Sequence, residues 1–195
     1  MAVEYCHVAA RQNPLPEKVT LNLKWQPPKA GTLKLNIDGV AYATTRQGGI
    51  GSVFRNNSGD WVMSYMKCLS NTIGITSEFQ ALWQGLRITI DHMLSPIVID
   101  TDFTKLGNPA IGHSYGEQNQ VADLLTKEGA KNESFEKTQF LAVPPVFAND
   151  AVWADILGTS FRRKINICNI DTLTGIASTQ GNSDSHTNKV ILQHF

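Results

Sequence analysis

The chain has 195 residues, 42% of them hydrophobic, which is enough for one domain with a hydrophobic core. Lys plus Arg and Asp plus Glu both number 17, so no global charge draws the chain to nucleic acid, and any such partner has to be held by a local patch. Cys6, Cys68 and Cys168 are isolated and odd in number, which argues against a disulfide framework and a cysteine zinc site and fits a reducing compartment.

The N-terminal MAVEYCHVAARQNPLPEK lacks an apolar run behind a basic start, and no later stretch is long enough to span a bilayer. The expectation is therefore a soluble, intracellular protein of the nucleus or cytoplasm with no membrane partner. Residues 1–24, with Pro14 and Pro16, read as an extended linker. In TLKLNIDG, Leu33, Leu35 and Ile37 alternate with Lys34, Asn36 and Asp38, the period of a strand with Asp38 at its C-terminal end. Two further strands, 49–54 and 61–66, flank the turn-forming Asn56-Asn57-Ser58-Gly59 and complete an antiparallel meander.

The period then changes. Phe79, Leu82, Leu86 and Ile90 recur at helical spacing behind Thr76 or Ser77 as N-cap, which puts Glu78 in the first turn. After Pro96, Ile97-Val98-Ile99 reads as a buried central strand ending in Asp100-Thr101-Asp102. Glu117 to Glu128 reads as a helix with Val121, Leu124 and Leu125 inward, Asp123 in its second turn and Gly129 at its stop. FLAVPPVFAND holds two prolines, AVWADILGTSF is compatible with one short helix, and residues beyond Arg163 are too polar to add much core.

Asp38, Glu78, Asp102 and Asp123 thus stand in one order on strand ends and helix faces. Hard divalent cations need oxygen ligands, and scattered carboxylates form one site only where the fold brings such positions together. Singly, each is more commonly a solvated group or a favourable charge near a helix N-terminus.

The sequences WQPPKAGTLKLNIDGV, GGIGSVFRNNSGDW, SEFQALWQGL and HSYGEQNQVADLLTKEG together resemble ribonuclease H-like domains, in particular the plant, retrotransposon-related ones, over residues 25–130. A similar proline-containing close, VPPVFANDAVWADILG, extends the expected domain to 25–163, with a mobile polar tail at 164–195. The resemblance implies an α/β fold: a mixed sheet of a three-stranded antiparallel meander plus parallel strands, flanked by helices. It implies a nuclease that uses two Mg²⁺ or Mn²⁺ ions to hydrolyse the RNA strand of RNA–DNA hybrids, leaving 5′-phosphate and 3′-hydroxyl ends. Asp38, Glu78, Asp102 and Asp123 would bind the ions, His113 would aid proton transfer or product release, and Gly39 and Asn119 would contact substrate. Asn119 is equally compatible with helix capping, and His113 with a plain exposed loop residue. Trp61 and Tyr65 suit core packing better than base stacking, Trp83 on its helix is compatible with either, and Arg55, Lys67, Arg87 and Lys105 are candidate phosphate contacts on an otherwise solvated surface.

Only 21 positions separate Asp102 from Asp123, where relatives carry a full helix and a further strand. One helix and one strand are therefore expected to be missing, with apolar surface exposed on Ile97 and Ile99. Phe103 stands where relatives commonly carry Ser, and Gly116 where they often carry Arg. These departures keep a second reading open, a catalytically weak nucleic-acid-binding module.

Overall fold

The computed structural model describes residues 18–103, 111–132 and 134–166. The expectations for residues 1–17, Lys105 and 167–195 lie outside them. The described residues fall into two compact units. The smaller contains most of β1 (Lys18–Leu23) and β8 (Phe161–Asn166), which pair as a two-stranded sheet. The stretch expected to be linker therefore ends in a strand, and the polar tail starts in one. In KVTLNL, Leu21 and Leu23 alternate with polar residues and are buried, a period of two that the upstream prolines masked.

The larger unit is built on a six-stranded sheet in the order β6-β5-β2-β3-β4-β7. Strands β2 (Leu33–Ala41), β3 (Gly48–Arg55) and β4 (Trp61–Leu69) form the expected antiparallel meander, with Asp38 opposite Gly51 and Ser52 opposite Tyr65. Strand β5 (Ile97–Thr101) runs parallel to β2, with Thr101 level with Ile37. The two-residue β6 (Gly112–His113) runs parallel to β5, and β7 (Gln139–Leu141) pairs with β4 on the far edge. The strand expected to be missing is present as this two-residue remnant. Ten residues separate Thr101 from Gly112, too few for the usual helical crossover between parallel strands.

Strand β3 is buried along its whole length because both faces are covered. On one face Ile50 and Phe54 join Leu35, Ile37, Tyr65, Ile97 and Ile99 beneath α1 (Gly74–Asp91). On the other, Val53 packs with Val121 and Leu125 of α2 (Gln120–Ala130) and with Ala151 and Val152 of α3 (Asn149–Ile156). Ile97 and Ile99 are 0% and 3% exposed, so the shortened connection does not bare them; α1 and Leu94 lie in the same cluster.

The helices depart from expectation in their starts and faces. Helix α1 starts at Gly74 with Ile73 as N-cap and no side-chain cap, so Glu78 is its fifth residue; Ser77 Oγ donates instead to the Gly74 carbonyl. Its buried stripe is Glu78, Ala81, Gly85, Ile88 and Thr89, and Phe79, Trp83 and Ile90 face outward. Small residues win that stripe because the helix lies close to the sheet: a methyl on Gly85 would come 2.9 Å from Leu35 Cδ2, and Tyr65 donates to the Ala81 carbonyl at 2.5 Å. Helix α2 begins at Gln120, after a 3₁₀ turn at Gly116–Gln118, so Asp123 sits in its first turn; Gly129 is buried inside it and does not stop it.

Arg55, a candidate phosphate contact, is fully buried. Its guanidinium donates to Asp155 of α3 at 2.6 Å and to Asn36 at 2.9 Å, and stacks 4.0 Å from the centre of the Trp25 ring. Trp25 itself donates to Asn36. Burial pushes Arg55 down and Asp155 up, so desolvation outweighs the attraction between them. Lys34 pairs with Asp100, Lys67 with Glu136 and Arg87 with Asp91. Tyr65 is core, Trp61 is half-buried with its indole on the Leu141 carbonyl, and exposed Trp83 carries the Arg87 guanidinium 5.5 Å from its ring centre. None of the described helices is long and apolar enough to cross a membrane.

The contact between α2 and β3 rests on the absence of side chains at Gly49 and Gly51. A Cβ at Gly51 would stand 2.3 Å from the Thr126 backbone nitrogen, and one at Gly49 2.5 Å from the Thr126 carbonyl oxygen. Gly51→Ala is expected to lower the unfolding free energy in urea by about 2 kcal/mol or more, as overpacking does. Gly74, whose added methyl meets nothing, provides the control: Gly74→Ala should change stability by no more than about 1 kcal/mol, and in the stabilising direction.

Candidate active site

Strand β2 does not end at Asp38 but continues to Ala41, because pairing with β3 persists to Ala41 opposite Gly48. Asp38 is thus held by β3, with its own carbonyl accepting the Thr126 hydroxyl of α2 at 3.0 Å, and its residue is only 7% exposed. Gly39, next to it, is where α1 meets the sheet: a Cβ there would lie 2.5 Å from the Ser77 carbonyl carbon and 2.6 Å from the Glu78 nitrogen. That approach places buried Glu78 beside Asp38, and the Gly39 backbone offsets a small part of the rise in both carboxyls. At Gly39 the absence of a side chain is what lets α1 pack this close to β2.

Asp102 follows β5 directly. The parallel register sets Thr101 level with Ile37, so Asp102 comes level with Asp38. Oxygens of Asp38, Glu78 and Asp102 all lie within 4.8 Å of one another. Asp123 is near enough for its charge to act on Asp38 and Asp102, yet it stands outside that group, and Lys127 Nζ holds its Oδ2 at 2.7 Å. The fold therefore gathers three of the four sequence-predicted carboxylates and leaves the fourth alongside in an ion pair. Lys127 was missed, although its i,i+4 spacing from Asp123 is a legible signal.

Asn119 occupies the N-cap position of α2, but its side chain turns inward, is 1% exposed and donates to the Ile37 carbonyl at 2.8 Å. It ties α2 to β2 rather than capping the helix, and it lies near enough to Asp102 to offset slightly the rise of that carboxyl. His113 is exposed on β6, its ring edge-on to Tyr115 at 5.5 Å between centres, close enough for its charge to act on Asp102. Phe103 is half-buried, with its backbone nitrogen on the Thr101 hydroxyl at 3.1 Å, and a Cβ on Gly116 would come 3.6 Å from Asp102 Oδ2.

Burial, and after it the charges of neighbouring carboxylates, raise Asp38 to about 7 and Glu78 to about 8. Burial raises Asp102 as well. Glu78 Oε2 is buried with no hydrogen-bond partner. Three crowded carboxylates with an unsatisfied buried oxygen are a donor set of the kind hard divalent cations take.

These shifts carry a sign. The two carboxyls ionise near 3.8 and 4.5 when unfolded, so from about pH 4 to about pH 8 the folded chain keeps protons that the unfolded chain releases. Their contribution to stability is fully present below that window and is lost as pH rises through it. In thermal melts with EDTA, Asp38→Asn should therefore match the parent near pH 4 and melt a few degrees above it near pH 8. An equal difference at both pH values would contradict the assignment.

The sequence matches the family described as reverse transcriptase-like over residues 36–146. No curated protein sequence matches the chain significantly. Among solved structures, ribonuclease H1 of the halophilic archaeon Halobacterium salinarum NRC-1 is 17% identical with a TM-score of 0.47, covering 52% of this chain and 98% of that one. LC11-RNase H1, solved in complex with an RNA/DNA hybrid, is 17% identical with a TM-score of 0.44, covering 51% of this chain and 96% of that one. LC9-RNase H1, a type 1 enzyme with the type 2 active-site motif, is 12% identical with a TM-score of 0.48, covering 87% of this chain and 100% of that one. With more than half of its length matched, the chain belongs to the reverse transcriptase-like family, and its larger unit is an α/β domain built on a mixed sheet.

Proposed function

We propose that this chain is a metal-dependent endonuclease that hydrolyses the RNA strand of RNA–DNA hybrids, leaving 5′-phosphate and 3′-hydroxyl ends. The observation that carries the reading is the convergence of Asp38, Glu78 and Asp102 within 4.8 Å from three separate elements. Structural, solvent-facing carboxylates have no reason to converge and be buried against their own repulsion, whereas a cation site requires it.

Asp38, Glu78 and Asp102 would hold divalent cations, Mg²⁺ or Mn²⁺, with Asp123 as a further ligand once free of Lys127. The chemistry such cations supply, two in number in this reading, is activation of water and neutralisation of the charge that develops on the phosphoryl group during in-line displacement. The chain's own groups do the rest. Asp38, fixed by its pairing with β3 and by Thr126, keeps the centre rigid. Glu78, on a helix end that Gly39 lets approach, is placed to meet the 2′-hydroxyl that distinguishes RNA from DNA. His113, exposed beside Asp102, can move a proton to or from the product phosphate. Asn119, anchored on the Ile37 carbonyl, keeps the start of α2 close to β2 and Asp102.

The second reading, a nucleic-acid-binding module with little turnover, is favoured by one observation, the engagement of Asp123 with Lys127 outside the three-carboxylate group. A labelled RNA–DNA hybrid separates the two. With Mg²⁺, the purified chain is expected to cleave the RNA strand; EDTA should abolish cleavage, and Asp38→Asn should lower it by about a hundredfold or more. Hybrid binding that persists in Asp38→Asn, with no cleavage by the unmodified chain, would establish the binding module instead.

A further inference from the structure

Lys127 stands one helical turn beyond Asp123, and their side chains, 55% and 37% exposed, meet at 2.7 Å on the rim of the carboxylate group. Its position is set by its neighbour: Thr126 is fully buried and donates to the Asp38 carbonyl, which fixes the rotation of α2 against β2 and so directs Lys127 to the rim of the site. Asp38, Glu78 and Asp102 converge without Asp123, and Asp123 is paired with a cation that belongs to the chain itself.

We propose that Lys127 competes with the second divalent cation for Asp123, so that the free protein binds one such ion tightly and the second only by displacing the lysine ammonium. This rests on the nuclease reading and adds to it a residue that controls loading of the site. The ammonium acts in two ways. It occupies an oxygen of the ligand and places a positive charge where an incoming cation would have to sit. The pair is nevertheless exposed, and exposed pairs are weak, so the lysine delays the second ion without excluding it. Lys127 is in this sense a positioning residue: it acts through Asp123.

The test is calorimetric titration of the full chain with Mn²⁺ in the absence of nucleic acid. The parent should bind near one ion per chain in the tight step. In Lys127→Met, the second ion should bind roughly three- to tenfold tighter, the size expected when one partly exposed charge is removed. Lys127→Arg, which keeps the charge and the reach, should behave as the parent. The gain should disappear in the double variant Lys127→Met/Asp123→Asn. Melting curves in EDTA verify that each variant is folded, and the exposure of Lys127 makes that the expected result. Binding by Lys127→Met that is indistinguishable from the parent would overturn the proposal, as would a gain that survives Asp123→Asn. Hybrid cleavage, measured on the same samples, reports on the nuclease reading separately. Cleavage with unchanged Mn²⁺ binding sinks only the lysine proposal, and altered binding without cleavage sinks only the nuclease reading.

Discussion

Like charges held close in a poorly hydrated place repel, and the arrangement of this domain follows from holding Asp38, Glu78 and Asp102 within 4.8 Å despite that repulsion. Burial first, and that repulsion after it, hold Asp38 and Glu78 far above ordinary carboxyls, and protonation relieves part of both. What prevents the rest from opening the site is that no carboxylate can retreat without breaking packing elsewhere. Asp38 lies inside a strand paired on both sides, Glu78 follows a helix end wedged onto Gly39, and Asp102 is carried by a strand whose isoleucines are in the core.

The two helices that frame the site use the same device on opposite faces of the sheet. α1 approaches through Ala81 and Gly85, and α2 through Gly49 and Gly51 of β3. Close approach fixes the helices in rotation as well as in distance, because each has only one side small enough to dock. Rotation is what aims Glu78 inward and sets Thr126 against the Asp38 carbonyl. The geometry of a charged site is thereby set by residues that carry no charge.

How much of this could be read from the sequence depended on which forces were visible along it. The meander was legible because alternation of Leu33, Leu35 and Ile37 with polar residues is a local signal, as was the change to helical period after residue 76. The face of α1 was misread because Phe79 and Ile90 are larger than Ala81 and Gly85, and hydrophobicity alone ranks size above fit. Arg55 was misread for the opposite reason: its partner Asp155 is 100 positions away, and no local pattern announces that a charge will be buried. Strand β6 is only two residues long, below anything periodicity can detect. For the site, the order of the acidic motifs carried over into space at three positions. The fourth turned on Lys127, a local pairing that competes with the long-range one.

The buried cluster of Trp25, Asn36, Arg55 and Asp155 reaches past the residues by which the family is matched. Residues matched by the family stop at 146, before α3, whereas the carboxylate that balances Arg55 lies at 155. Arg55 sits at the end of the strand that runs through the middle of the sheet, so a fragment cut at the family boundary would lose the carboxylate that its guanidinium bonds most closely. Trp25, eleven positions ahead of Asn36, extends the same dependence upstream of the match. The packing around Arg55 thus draws on residues beyond both ends of the region by which the family is recognised.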